Sequence, residues 1–435
     1  MIEIFQIFLQ ILIILIFCYF PQSYLNFFNI GQQSVIERIS LGSIINIFTL
    51  LLLSFINQKN FDLIFIILSI IFCINLFFLI IENWKSKLLD AKLIFLLIFV
   101  VVFSFDLANN FKLGWDAQNF WILKTLNFFQ EGDVYNLVNF SQQEYPHLGS
   151  FIWAIYAKIS FLEYEYLGRI FYIFFFCLAI FSIAELLYFN YVYKILFSSV
   201  IIILTYNIHL FNGYQEILIF SIFTLFSKYF YLIIKDNANK SFISFCGVII
   251  FLLLSNSIWI KNEAIFFSLI FLFLILILPK KKFLFKLGIL SPFVLVVILK
   301  FIIFKKIGIN TSLVQSNFDY NSILHLGNFF TLDRVSVVFL YFSFGIISNL
   351  IYIISIFLML FMFFYGGNKT NLSNYYISLV LNFLSILSFY IFTPHPLEWQ
   401  LKESIERVLF EVMGVYIIPI IIFINVYSKK IFKIQ

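Results

Sequence analysis

The sequence predicts an all-α protein that crosses a bilayer many times. Three observations carry this. Of its 435 residues, 63% are hydrophobic and only 11% are charged, whereas a soluble domain carries roughly 25% charged residues. Mean hydropathy is +1.02. The apolar residues also fall in runs long enough to span, about 20 residues each. A chain this apolar has no soluble surface, so lipid must cover much of it.

The expected spans are 2–20, 40–56, 62–81, 92–108, 167–190, 192–210, 217–234, 241–258, 263–279, 284–304, 335–364, 373–393 and 411–428. That makes about 13 transmembrane helices in a single domain, 1–435. Residues 2–20 lack a basic n-region and a small-residue cleavage site, so they read as the first span and not as a cleaved signal. Residues 149–162 are apolar but short, which fits an interfacial or re-entrant helix. No internal repeat, and no pair of broken helices of the transporter kind, is visible.

Orientation follows from Lys and Arg in the connections. Short basic loops hold Lys85, Lys87 and Lys92; Lys235 and Lys240; Lys280, Lys281, Lys282 and Lys286; and Lys429, Lys430 and Lys433. These are expected in the cytoplasm. The alternate loops, 109–166, 305–334 and 394–410, are longer and hold most of the acids outside the spans. They are expected to face the periplasm or cell exterior of a plasma or inner membrane. Arg38 and Lys59 fall on opposite sides, which leaves the first three spans without a charge rule. The net charge of +6 belongs to this topology signal and does not point to nucleic acid. Sixty-four Phe fit codon bias better than a Phe-specific function. Cys18, Cys73, Cys177 and Cys246 sit in apolar runs without metal or redox spacing, and read as small hydrophobes.

Ionisable residues at a membrane need a reason to be there, and the informative ones cluster at the outer ends of spans. Asp116 lies in Gly114-Trp115-Asp116-Ala117, and a helix from it brings Phe120 and Lys124 to one face. Its plain structural role is an N-cap for a helix starting at Ala117. Glu144, Tyr145 and His147 precede the short apolar helix, and His147 is either a base near neutral pH or a hydrogen-bonding interfacial side chain. Glu216, after Gly213-Tyr214, begins a span where the helix dipole favours a carboxylate. Lys261 and Glu263 are two apart and do not face each other on a helix, so each needs another partner. Glu398, Ser404 and Arg407 follow His395-Pro396 on an amphipathic stretch. There Arg407 and Lys402 are either phosphate ligands or snorkelling cations.

Acids and bases converging on one membrane face suit transfer of a sugar from a lipid phosphate. A carboxylate takes the proton of the attacking hydroxyl, cations hold the departing phosphate, and an apolar groove takes the lipid.

These residues are where the chain resembles the GT-C superfamily of membrane glycosyltransferases, and within it the bacterial protein-mannosyltransferase-like branch that includes aminoarabinose transferases. The matching pieces are Trp115-Asp116-Ala117 with Trp121 and Lys124, Tyr145-Pro146, Gly213-Tyr214 with Glu216, Lys261-Asn262-Glu263, and Glu398-Trp399 with Ser404 and Arg407. They run in the family's order over about 110–410. The resemblance implies a GT-C-like fold and a polyprenyl-phosphate-linked sugar as donor. It implies Asp116 as the catalytic carboxylate, usually with inversion at the anomeric carbon, and Lys261 and Arg407 as phosphate contacts. The acceptor is a glycan, lipid or protein hydroxyl. No cofactor is expected; some members use a divalent metal, and no metal set is legible in this chain. Ala117, Ala264 and Gln215-Glu216 depart from the family's usual residues, which bears on the substrate more than on the reaction class. Residues 305–334 suit a mobile lid over the acceptor.

Two other readings stand beside this one. A transporter or flippase of a lipid-linked saccharide needs charges near the bilayer middle, where Glu185 and Lys228 are the main examples. An O-antigen-type polymerase or ligase relies on Arg-rich outer loops, and this chain has few Arg. A purely structural membrane protein does not account for the converging acids.

Overall fold

The computed structural model describes residues 2–56, 61–84, 90–109, 112–207, 210–235, 240–278, 281, 283–309, 331–365, 373–393 and 396–432. Every regular element among them is helical. Outside them lie residues 310–330 (most of the expected lid, with Asp319), His395, Lys59, Lys85, Lys87, Lys280, Lys282 and Lys433.

The helices are α1 (Ile2–Phe17), the short α2 (Gln22–Phe27), α3 (Val35–Ser54), α4 (Phe61–Trp84) and α5 (Ala91–Asn109). The long connection carries α6 (Ile122–Phe129) and α7 (Leu148–Lys158). Then come α8 (Glu165–Ala184), α9 (Tyr191–Thr205), α10 (Glu216–Ile234), α11 (Lys240–Ile260), α12 (Ala264–Ile277) and α13 (Phe283–Ile307). The chain ends with α14 (Leu332–Ile347), α15 (Leu350–Tyr365), α16 (Ser373–Ile391), α17 (Leu397–Met413) and α18 (Ile417–Phe432).

Nine helices among the described residues are long and apolar enough to cross a membrane, which makes this a multi-pass membrane protein. They are α1 continued into α2, α3, α4, α5, α8, α10, α11, α13, and α17 continued into α18. α14 and α15 pass the same test only as a pair, and they meet at 93°. The stretch 335–364, expected as one span, is therefore two helices. Shorter apolar helices, α9, α12 and Tyr375–Ile391 of α16, occupy the remaining expected spans.

Between helices in lipid, packing and polar contacts replace the hydrophobic effect as the glue. α8 and α10 form the centre: their apolar windows are 100% and 89% buried, against 11% for α4. α8 packs on α3, α5, α7, α9 and α10, and α10 continues the core to α11 and α17. α7 is buried along almost its whole length beneath α3, α6 and α8. It is thus an internal short helix, which sets aside the interfacial alternative and not the re-entrant one. Its interior position follows from its neighbours: Tyr172 donates to the Gly149 carbonyl at 2.8 Å, and Trp153 donates to the Glu165 carbonyl at 3.1 Å.

Charges sit at the two ends of the bundle. At one end Arg38 bonds Glu82 at 2.7 Å and the Tyr19 hydroxyl at 2.7 Å. Nearby, Glu185 is held by Lys92 and by Lys194 at 2.7 Å. Lys228 reaches Glu37 at 3.1 Å and Ser182 at 2.9 Å. Arg38 therefore shares an end with Lys92, while Lys59, the other half of the charge conflict, lies outside the described residues. Glu185 and Lys228 are paired within this end cluster. Cys18, Cys177 and Cys246 are buried, but Cys73 is exposed on α4 and departs from the buried reading.

Candidate functional site

The other end of the bundle gathers the candidate residues. Two backbone crossings set it up. Gly213 adopts φ +73°, a left-handed turn that favours glycine, and this turn leads into α10. The Gly114 N–H donates to the Asn212 carbonyl at 2.9 Å, so the segment after α5 lies against that turn. Gly114 packs directly beneath Tyr214, where a Cβ would fall 2.3 Å from the ring.

Asp116 then enters a π-helical turn, Ala117–Trp121, before α6. It is not an N-cap: it is helical itself and its side chain accepts no capping bond. Its carboxylate instead pairs with Arg407, 291 residues away. The wider turn also breaks the α-helical register expected from Asp116 through Phe120 to Lys124. Phe120 and Trp121 line the site, while Lys124 turns underneath. There Lys124 is buried and donates to the carbonyls of Gln142 at 2.9 Å and Tyr145 at 2.7 Å. Burial, only partly offset by Glu144, pushes its ammonium down to about 7. Lys124 thus holds the loop and does not line the cavity.

His147 is corrected in the same way. It lies buried among Phe55, Phe128 and Trp259, with Nε2 2.8 Å from the Ser54 hydroxyl. Burial first, then Lys124 and Lys300, lowers it to about 3, so it is neutral and internal, neither a base in the cavity nor an interfacial side chain. Glu398 is exposed and outside the cavity wall; the adjacent Trp399 lines it instead.

The other acids and bases meet. Arg407 stands between Asp116 and Glu216, the latter at 3.5 Å, with its guanidinium 4.9 Å from the Tyr214 ring centre. Lys261 bonds Glu216 at 3.1 Å and Glu411 at 2.5 Å. Burial alone would lower Lys261, but Glu216 and Glu411 outweigh it and hold the ammonium well above its ordinary value. Glu411 was not among the expected residues. Its signal is its position four after Arg407, on the same helix face, and its charge at the start of an apolar run.

Three carboxylates therefore share two cations. Glu263 and Glu144 add more negative charge, each with one buried carboxylate oxygen that has no hydrogen-bond partner. Burial raises Glu144 above the usual carboxylate range, against its own backbone N–H and Lys124. A polar chain fixes this wall. Lys300 donates to the Asn262 side chain at 2.9 Å, and Asn262 donates to the Glu144 carbonyl at 3.2 Å.

These groups surround a cavity of about 290 Å³. Asp116, Glu144, Tyr145, Lys261, Glu263 and Arg407 line it, with Trp115, Phe120, Trp121, Trp399 and Ser404. Phe120 and Tyr145 stack with ring centres 6.0 Å apart and planes 5° from parallel. Glu263, Phe389 and Val408 also belong to a second space of about 220 Å³ between α12, α16 and α17. That space is an apolar groove, with Phe266, Leu381 and Leu384 in its walls. Phe266 and Leu384 are exposed on the bundle's apolar surface. Among the described residues, no three of His, Cys, Asp or Glu are grouped to hold a metal ion.

Compared with protein-family models, curated proteins and solved structures, the chain matches none.

Proposed function

We propose that this protein is a GT-C-type glycosyltransferase with about thirteen membrane spans, its acid-rich end facing the periplasm or cell exterior. It takes a sugar from a polyprenyl-phosphate donor and passes it to an acceptor hydroxyl. One observation carries the reading. Residues from 115–121, 142–145, 261–263 and 399–408 line a single cavity with charged and aromatic walls, and it shares Glu263, Phe389 and Val408 with an apolar groove at the bundle surface. A molecule that fits both is a polar head on a long apolar chain.

In this mechanism the polyprenyl chain lies in the groove and its phosphate faces Lys261 and Arg407. The acceptor oxygen attacks the anomeric carbon and gives its proton to Asp116. The bond from that carbon to the phosphate oxygen breaks, and the cations hold the charge that develops there. Arg407 is bonded to Asp116. A donor phosphate competes for that guanidinium, bidentate pairing being strong, and frees Asp116 to accept a proton. Phe120, Tyr145 and the Trp rings offer apolar faces to the sugar, and Glu144 and Glu263 offer acceptors to its hydroxyls. The transporter reading loses its main support, because Glu185 and Lys228 are paired at the opposite end.

The test is transfer from labelled polyprenyl-phosphate sugars in membranes carrying the wild type or Asp116→Asn at equal expression. Loss of a general base costs about 10²–10⁴-fold, so the variant should fall by at least that lower figure. Equal transfer by both removes Asp116 from the chemistry. No transfer by the wild type over a broad donor panel overturns the glycosyltransferase reading.

A further inference from the structure

The bend between α14 and α15 has no part in the reaction above. A break in an apolar helix frees backbone polar groups that lipid cannot satisfy. It persists where protein covers it or where it lines a wet cavity. Here Ser348 and Asn349 at the break line a space of about 380 Å³.

This space lies across α17 from that cavity. Glu406, Leu409 and Met413 face it, whereas Ser404, Arg407 and Val408 face the first. The far wall is the end of α9, with Tyr206 and Asn207. The break is locally self-sufficient. The Asn349 side chain accepts the Ile351 N–H at 3.2 Å, and the Ser348 hydroxyl donates to the Gly345 carbonyl at 3.0 Å. The lining is thus formed before any ligand arrives.

Its chemistry is selective. The polar side chains are a phenol, two amides, a hydroxyl and the Glu406 carboxylate. Glu406 is exposed and has no ion-pair partner among the described residues. None of the lining residues is Lys, Arg or His, so a phosphate finds no cation there. A carboxylate instead accepts from hydroxyl groups, and the amides and hydroxyls beside it can also donate to them. The rim is apolar and exposed: Ile203 at 67% and Leu350 at 52%. In a membrane protein that rim meets acyl chains.

We propose that this cavity binds the neutral, hydroxyl-rich head of a membrane amphiphile, a sugar or polyol on lipid chains. The inference rests on the broken helix and its lining alone, and does not depend on the glycosyl-transfer reading.

The experiment uses the full chain extracted with styrene–maleic acid, so that no sugar detergent occupies the site. The probe is an alkyl maltoside with a diazirine in its chain, and crosslinks are mapped by mass spectrometry. Labelling is expected on 203–207 and 345–350, displaced by dodecyl maltoside but not by phosphatidylglycerol. Free maltose should compete far more weakly than dodecyl maltoside. Glu406→Leu, an exposed position that leaves the fold intact, should cut labelling roughly tenfold, the scale of a hydrogen bond to a charged group. Thermal melting of the variant checks the fold, and Ser348→Leu gives an independent second variant. Labelling elsewhere, labelling that survives both variants, or equal competition by maltose or phosphatidylglycerol overturns the proposal.

Discussion

Lys261 shows what single residues contribute here. It shares one ammonium between Glu216 and Glu411 in a buried setting. Removing one partner leaves an uncompensated buried charge, at a cost of about 3–5 kcal/mol. Lys261→Met should therefore lower the melting temperature steeply, and the Lys261→Met/Glu411→Leu pair should recover part of it. A single variant that melts like wild type would show that the network carries no structural weight. His147 gives a pH prediction. Its folded value, about 3, lies below the ordinary value of 6.5, so the unfolded chain binds the extra proton first. Its contribution is complete above pH 6.5 and is lost as pH falls toward 3. Melting between pH 8 and 5 should show wild type losing stability more steeply than His147→Gln. The sequence disclosed Asp116, Lys261, Glu216 and Arg407 because charges in so apolar a chain require compensation. It named Lys124 and His147 as well but not their inward positions, since spacing cannot say which side of a short helix faces inward. The π-helical turn after Asp116 decides that, and no residue pattern marked it.

At the scale of helices, the groove between α12, α16 and α17 makes the next prediction. Ser385 lies in its wall, and Ser385→Trp fills it. Transfer from a long-chain donor should show a KM raised about tenfold, equivalent to 1.4 kcal/mol. A short-chain donor analogue should be unaffected, and an equal rise for both would separate the groove from chain binding. Most helices were legible because their apolar runs match a bilayer's width. The run 335–364 carried its own warning: thirty residues of helix extend about 45 Å, beyond the ~30 Å hydrocarbon core. The polar pair Ser348-Asn349 is where the excess length is broken. α7 was legible as a helix but not as an internal one, because a short apolar run looks alike at a membrane surface and in a protein core.

For the molecule as a whole, the arrangement of charged ends implies a sidedness that labelling can read. In a Cys73→Ser background, a cysteine at the exposed Asn136 should react with a membrane-impermeant maleimide from outside intact cells. One at the exposed Gln32 should react only after the cells are opened. The reverse pattern would invert the orientation. Class and helix positions were readable because hydropathy is summed over long stretches. The meeting of the Trp115–Trp121 segment, the 261–263 corner between α11 and α12, α16 and α17 at one cavity was not, since it depends on which segments become neighbours. The buried centre has a consequence in time. Glu216 opens α10, yet its partners Lys261 and Arg407 are synthesised later, Arg407 by roughly 190 residues. At about 5–20 residues per second, that carboxylate waits on the order of 10–40 s for the second of them. The cavity is therefore among the last features a nascent chain completes, and a ribosome halted before α17 releases a chain without Arg407, Glu411 and the wall they form.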